Sequence, residues 1–75
     1  MAPLTDLQPG THGRLTSLGG DRSFQRRLME LGFLPGTPLC VIRRVAVGGV
    51  LELELRQSRV TLRMSEARDV RVSID

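Results

Sequence analysis

The chain has 75 residues, room for one domain, and a chain of that length buries only about 60% of its unfolded surface. Its core must therefore be dense, and a deep water-excluding cavity would compete for the same residues, which argues against an enzyme. The eleven basic residues, all arginine, exceed the eight acidic ones by three. They are scattered, with adjacent pairs only at Arg26-Arg27 and Arg43-Arg44, which describes a mixed solvated surface rather than a polyanion footprint.

From the N-terminus, no basic start with an apolar stretch marks a signal peptide, and no run of roughly 18 apolar residues follows that could span a bilayer. Leu4 and Leu7 lead into a Pro9-Gly10 turn. His12 to Leu18 reads as a first strand closed by Gly19-Gly20. Asp21 or Ser23 caps a helix running to about Leu31, because Phe24, Leu28 and Leu31 fall at i, i+4 and i+7 on one face. Arg26, Arg27 and Glu30 take the other side. Gly32 suits the left-handed residue past the helix end, Phe33 folds back on the last turn, and Pro35-Gly36 turns into the next strand.

From Thr37 onward the period becomes two. Leu51, Leu53 and Leu55 alternate with Glu52, Glu54 and Arg56, as in a half-buried strand. Val60 and Leu62, then Val70, Val72 and Ile74, continue the pattern. A two-residue turn at Gln57-Ser58 would set Leu55 against Val60, Leu53 against Leu62 and Glu52 against Arg63. It would also oppose Arg56 to Arg59. The strand from Leu39 to Val47 turns Arg43 or Arg44 toward the core unless a bulge, or a strand end beyond the barrel, intervenes. Ser65-Glu66-Ala67 reads as one helical turn. The expected fold is all-β: a small closed or nearly closed barrel, with one α-helix inserted after the first strand.

The chemistry is sparse. One histidine, His12, and one cysteine, Cys40, do not make a zinc site, which takes about three or four such ligands. Cys40 lies in the apolar run 39–42 and reads as a reduced, buried thiol of a cytoplasmic protein. No cofactor is expected to be tightly bound. The open metal reading is a weak surface divalent site, shared between chains, from His12 with Glu52 and Glu54, whose side chains share a strand face about 7 Å apart. No nucleophile elbow or phosphate-cradling loop is present. Single-strand nucleic-acid binders stack bases on aromatic rings, and this chain has two Phe, no Tyr and no Trp. Nucleic acid is the weaker reading.

The stretch Arg27-Leu28-Met29-Glu30-Leu31-Gly32-Phe33-Leu34-Pro35-Gly36-Thr37 resembles the FeoA pattern R-L-x-x-(L/M)-G-(hydrophobic)-x-x-G-T. The opening Leu4, Leu7 and Gly10 agree with that family, as do Leu62-Arg63-x-Ser65-Glu66-Ala67 and the terminal V-x-V strand, so the likeness covers nearly the whole chain. It implies a single SH3-like domain over 1–75 that works in the cytosol beside the ferrous-iron GTPase–permease FeoB, without inserting in the membrane. The chain departs from the family's polar central turn at Val47-Gly48-Gly49-Val50. Expected partner contacts are Arg26, Arg27 and Glu30 on the helix, with Val47 and Val50 at the hairpin tip. A homodimer is left open.

Overall fold

A computed structural model describes residues 1–56 and 58–75. Two-residue β1 (Ala2–Pro3) leads into a 3₁₀ turn (Leu4–Asp6), then β2 (His12–Leu18), α1 (Arg22–Glu30), β3 (Pro38–Val45) and β4 (Val50–Leu55). β5 (Ser58–Arg63), α2 (Met64–Ala67) and β6 (Val70–Ile74) complete the chain. The strands form one antiparallel sheet in the order β1-β6-β2-β3-β4-β5. It curls around its core but does not close, since β1 and β5 are not hydrogen-bonded to each other. The helix is inserted after the first long strand, as the pattern predicts.

Alternation sets what lies inside. Leu51, Leu53 and Leu55 are buried while Glu52 and Glu54 lie on the outer face. Val41, Val70, Val72 and Leu62 meet them, and Leu4 and Leu7 seal one end. Phe33, fully buried, is the largest core side chain. It reaches the core because Gly32 adopts φ +106°, reversing the chain so that the Phe33 amide donates to the Leu28 carbonyl at 3.0 Å. At the other end of α1, the Asp21 carboxylate accepts from the Phe24 amide at 2.9 Å, so Asp21 rather than Ser23 is the cap. The Gln25 side-chain amide donates to the carbonyls of Leu18 (3.2 Å) and Gly20 (3.3 Å), tying the helix to the end of β2.

Three expectations need correction. The β4–β5 register pairs Leu55 with Ser58, Leu53 with Val60 and Leu51 with Leu62, two positions from the register drawn for a Gln57-Ser58 turn. Arg56 takes φ +51° and begins the connection, whereas Gln57 lies outside the described residues. The shift also removes the Arg56–Arg59 clash: Arg59 faces Glu54, Glu52 faces Thr61, and Arg63 faces Val50. Second, Leu31 does not complete the buried helix face. It follows the last helical residue and is 47% exposed, while Phe33 fills the place expected of it. Third, Ile74 alternates correctly but extends past the core and is exposed.

The conflict over Arg43 and Arg44 is resolved by a bulge between Val41 and Arg43, where Ile42 is the extra residue. The bulge puts Arg43 in the outer row opposite Glu52, whereas Arg44 stays opposite the buried Leu51 and is nonetheless exposed. Arg44 donates to the Leu7 carbonyl at 3.2 Å, and Arg43 pairs with Glu52 at 3.7 Å. Among the described residues, no helix is long and apolar enough to cross a membrane.

Candidate functional site

The expected partner residues do not form one patch. Arg26 and Glu30 are exposed on α1. Arg27 is less free: its guanidinium forms an ion pair with Glu66 of α2 and lies 5.8 Å from the Phe24 ring centre. It clamps the two helices together as well as lining the surface. Val47 stands alone at the hairpin tip, 89% exposed. Val50 is half-buried in β4 and paired with Val45, so the strand pairing takes it out of the tip.

Val50 and Arg27 nonetheless meet. With Leu31, Thr61, Leu62, Arg63 and Glu66 they line a groove of about 480 Å³ between α1 and the free edge of β5. A second groove of about 260 Å³ continues past Leu31 to Leu34, Thr37, Leu55 and Ser58. Met29, Leu31 and Leu34 are each nearly half exposed around the end of α1. Leu31 and Leu34 make an apolar patch along these grooves, with Arg27, Arg56 and Arg63 beside it, whereas Met29 lines a separate hollow with Leu15, Leu18 and Pro35. Sequence reading missed it because Leu31 fits the helical period as well as a core residue would. Gly32 carried the signal: a helix that ends there gives the core place to Phe33 and so leaves Leu31 outside.

Glu66 is the electrostatic keystone of this edge. The Arg63 amide donates to Oε1 at 3.0 Å, and that bond holds the carboxyl below its usual value of 4.5. Partial burial works against it, and the Arg27 guanidinium adds to the lowering. A carboxyl with a lowered folded-state value stabilises the fold fully above its ordinary value and loses that contribution as the pH falls through the lowered one. Glu66→Gln should therefore melt at a lower temperature than the parent above pH ~5. The difference should shrink toward pH ~3. Melts across that range check it; a constant difference would mean that the carboxylate charge contributes nothing.

The suggested metal set does not assemble within one chain. Glu54 is two strands from His12, about 10 Å at the usual spacing, and Glu52 is engaged by Arg43 and Arg59, both at 3.7 Å. Among the described residues, no group of three or more His, Cys, Asp or Glu is placed to hold a metal. The neighbour of His12 is Cys40, its direct partner across the β2–β3 ladder, with Sγ 3.8 Å from Nε2. Cys40 is half-buried on the outer face rather than a core thiol.

The FeoA domain model matches residues 2–74. The chain belongs to the FeoA family. Among solved structures it resembles FeoA from Chlorobium tepidum, with 32% identity over 96% of this chain and 69% of that one and a TM-score of 0.89. It also resembles Stenotrophomonas maltophilia FeoA in complex with zinc, with 32% identity, coverage of 93% and 87%, and a TM-score of 0.79. That protein is described as a prokaryotic SH3-domain protein and a candidate ferrous-iron transport activating factor. A manganese-dependent transcriptional repressor shares the fold at 19% identity and a TM-score of 0.92, the chain spanning 41% of its length. No curated protein sequence matches. Membership links this FeoA-family chain to ferrous-iron transport and to an SH3-like fold, in a family not known for enzymes.

Proposed function

We propose that this chain is a cytosolic accessory protein of ferrous-iron uptake that binds the cytosolic part of the FeoB GTPase–permease and changes its activity through protein contacts alone. The observation that carries the reading is the exposed apolar rim at the end of α1, where Leu31 and Leu34 open onto the grooves beside β5 and Met29 lies on the side facing β2. A free monomer gains nothing by exposing these side chains, whereas a partner would bury them and meet Arg26, Arg27 and Glu30 around them. The half-buried Val50 contributes to the groove wall and Val47 offers a separate apolar tip.

The test is a pull-down against the soluble GTPase domain of the transporter from the same organism, with GTP hydrolysis measured alongside. Leu31→Asp/Leu34→Asp should weaken capture at least about tenfold, since a central apolar contact is commonly worth more than 1 kcal/mol. Its melting temperature should stay close to the parent's, because neither side chain is in the core. Val47→Ser should have a smaller effect. Undiminished capture by the double variant would remove this rim from the interface. No capture of the parent in either nucleotide state would move the reading to the transporter's membrane part or to another partner.

A further inference from the structure

We infer that the free edge of β5 takes an extended segment of a partner protein as a further antiparallel strand, one in which acidic and apolar residues alternate. β5 is an end strand of the open sheet, so only β4 pairs with it. Two bonds at the end of the strand fix which backbone groups point outward. The Met64 amide donates back to the Gly49 carbonyl at 2.8 Å, whereas the Arg63 amide turns away from β4 to Glu66 Oε1 at 3.0 Å. Antiparallel ladders alternate hydrogen-bonded and open pairs. Leu62 and Val60 therefore direct their amides and carbonyls to β4, and Thr61 and Arg59 aim theirs at the free edge. Among the described residues, no backbone hydrogen bond from beyond β4 reaches Thr61 or Arg59.

The side chains specify what pairs there. Arg59, Thr61 and Arg63 are exposed on the outer row, while Val60 and Leu62 turn inward. β4 already answers that pattern from the other side, with Glu54 opposite Arg59, Glu52 opposite Thr61, and leucines opposite Val60 and Leu62. A strand on the free side meets the same alternation. Acidic residues suit the places beside Arg59 and Arg63, and apolar ones those beside Val60 and Leu62, where they also cover the exposed Leu31 across the groove. Positive charge is available for them: Arg63 has no ion-pair partner among the described residues, and Arg59 shares Glu52 with Arg43. Glu66, the carboxylate lining the groove, is already held by Arg27 and the Arg63 amide. A second copy fits less well, because two β5 edges paired antiparallel about Thr61 set Arg59 against Arg63, and like charges on an edge deter self-pairing. The inference rests on the adaptor reading for the partner's identity, whereas main-chain pairing recognises any segment with this alternation.

The probe is an end-capped peptide, Ser-Glu-Val-Thr-Val-Glu-Ser, titrated into the isotope-labelled chain while amide exchange is followed by NMR. In the free chain the Arg59 and Thr61 amides should exchange fast and those of Val60 and Leu62 slowly. Bound peptide should slow Arg59 and Thr61 at least about tenfold and leave Val60 and Leu62 as they were. Methylating the peptide's Thr nitrogen, which faces β5, should weaken binding about tenfold, whereas methylating the next Val nitrogen, which faces away, should do so far less. A peptide with Lys in place of both Glu should not bind. Thr61→Pro removes the edge donor without touching the β4 ladder, and it should bind the peptide about tenfold more weakly. If that variant does not fold, the methylated peptides still decide. Equal loss from the two methylations, unchanged exchange at Arg59 and Thr61 with peptide bound, or equal binding of the Lys peptide would each overturn strand addition. So would slow exchange of those two amides in the free chain that quickens on dilution, the mark of a second copy. No binding at millimolar peptide overturns it too, and capture of the transporter domain by the parent chain would then still uphold the adaptor reading. Peptide binding with the expected protection, but without capture of that domain, would support the strand site and overturn only the choice of partner.

Discussion

Phe33→Ala should lose about 3–5 kcal/mol of stability, the range for removing a large buried aromatic side chain. Against roughly 4–11 kcal/mol for a 75-residue fold, that is enough to unfold the chain or bring it close to unfolding. The size of the effect comes from position. Phe33 has no exposed surface, and its amide is held by the Leu28 carbonyl at the reversal after α1. Deleting the ring leaves a void between α1 and the sheet that neither element can close, since α1 is fixed by its Asp21 cap and by Gln25 on the end of β2. With about 4–8 °C lost per kcal/mol in a domain of this size, the melting temperature should fall by about 12–40 °C. Phe24→Ala, at a half-buried position, should cost visibly less. Urea and thermal unfolding followed by circular dichroism decide the matter. A loss under about 1 kcal/mol would mean that the helix collapses freely onto the sheet and that the core does not depend on this side chain.

The contrast between Phe33 and Leu31 also shows where sequence reading reaches its limit. Period-two alternation located β4, β5 and β6 because one face of each strand is wet, so the pattern is written residue by residue at Leu51, Glu52, Leu53 and Glu54. The helix was legible for a similar local reason, with its cap narrowed to Asp21 or Ser23. What was not legible depends on pairing. The β4–β5 register was drawn two residues away because Gln57-Ser58 and Arg56-Gln57 are equally poor turn pairs by composition. Both registers set leucines against Val60 and Leu62, and the observed one also places Arg59 opposite Glu54 instead of Arg56. At Arg43-Arg44 the sequence showed that the alternation had to break but not how, since a bulge is a property of two strands together. The neighbouring His12 and Cys40 were invisible for the same reason. Their 28-residue separation carries no spacing rule, and the contact exists only once β2 and β3 are in register. The apolar rim at Leu31 and Leu34 was hidden by a period that fits core and surface alike.

Gly13→Ala should destabilise the fold by about 1–3 kcal/mol, the typical cost of overpacking a site that cannot yield. Gly13 has no unusual backbone angle, so the cause is space alone. A methyl group there would lie 2.7 Å from the Ser73 carbonyl oxygen, and that oxygen belongs to the β6 backbone rather than to a side chain that can swing away. Gly13 pairs with both Leu39 and Ile74, so any retreat pulls on two ladders at once. Gly10 provides the opposite case. Its surroundings are open, yet its φ of +89° is one that an L-residue rarely adopts. Gly10→Ala should therefore cost about 1 kcal/mol through backbone strain without disturbing any neighbour. Unfolding curves of both variants give the answer. A loss in Gly13→Ala no larger than that in Gly10→Ala would show that β6 yields at Ser73, and that the close approach is not what fixes the end of β2.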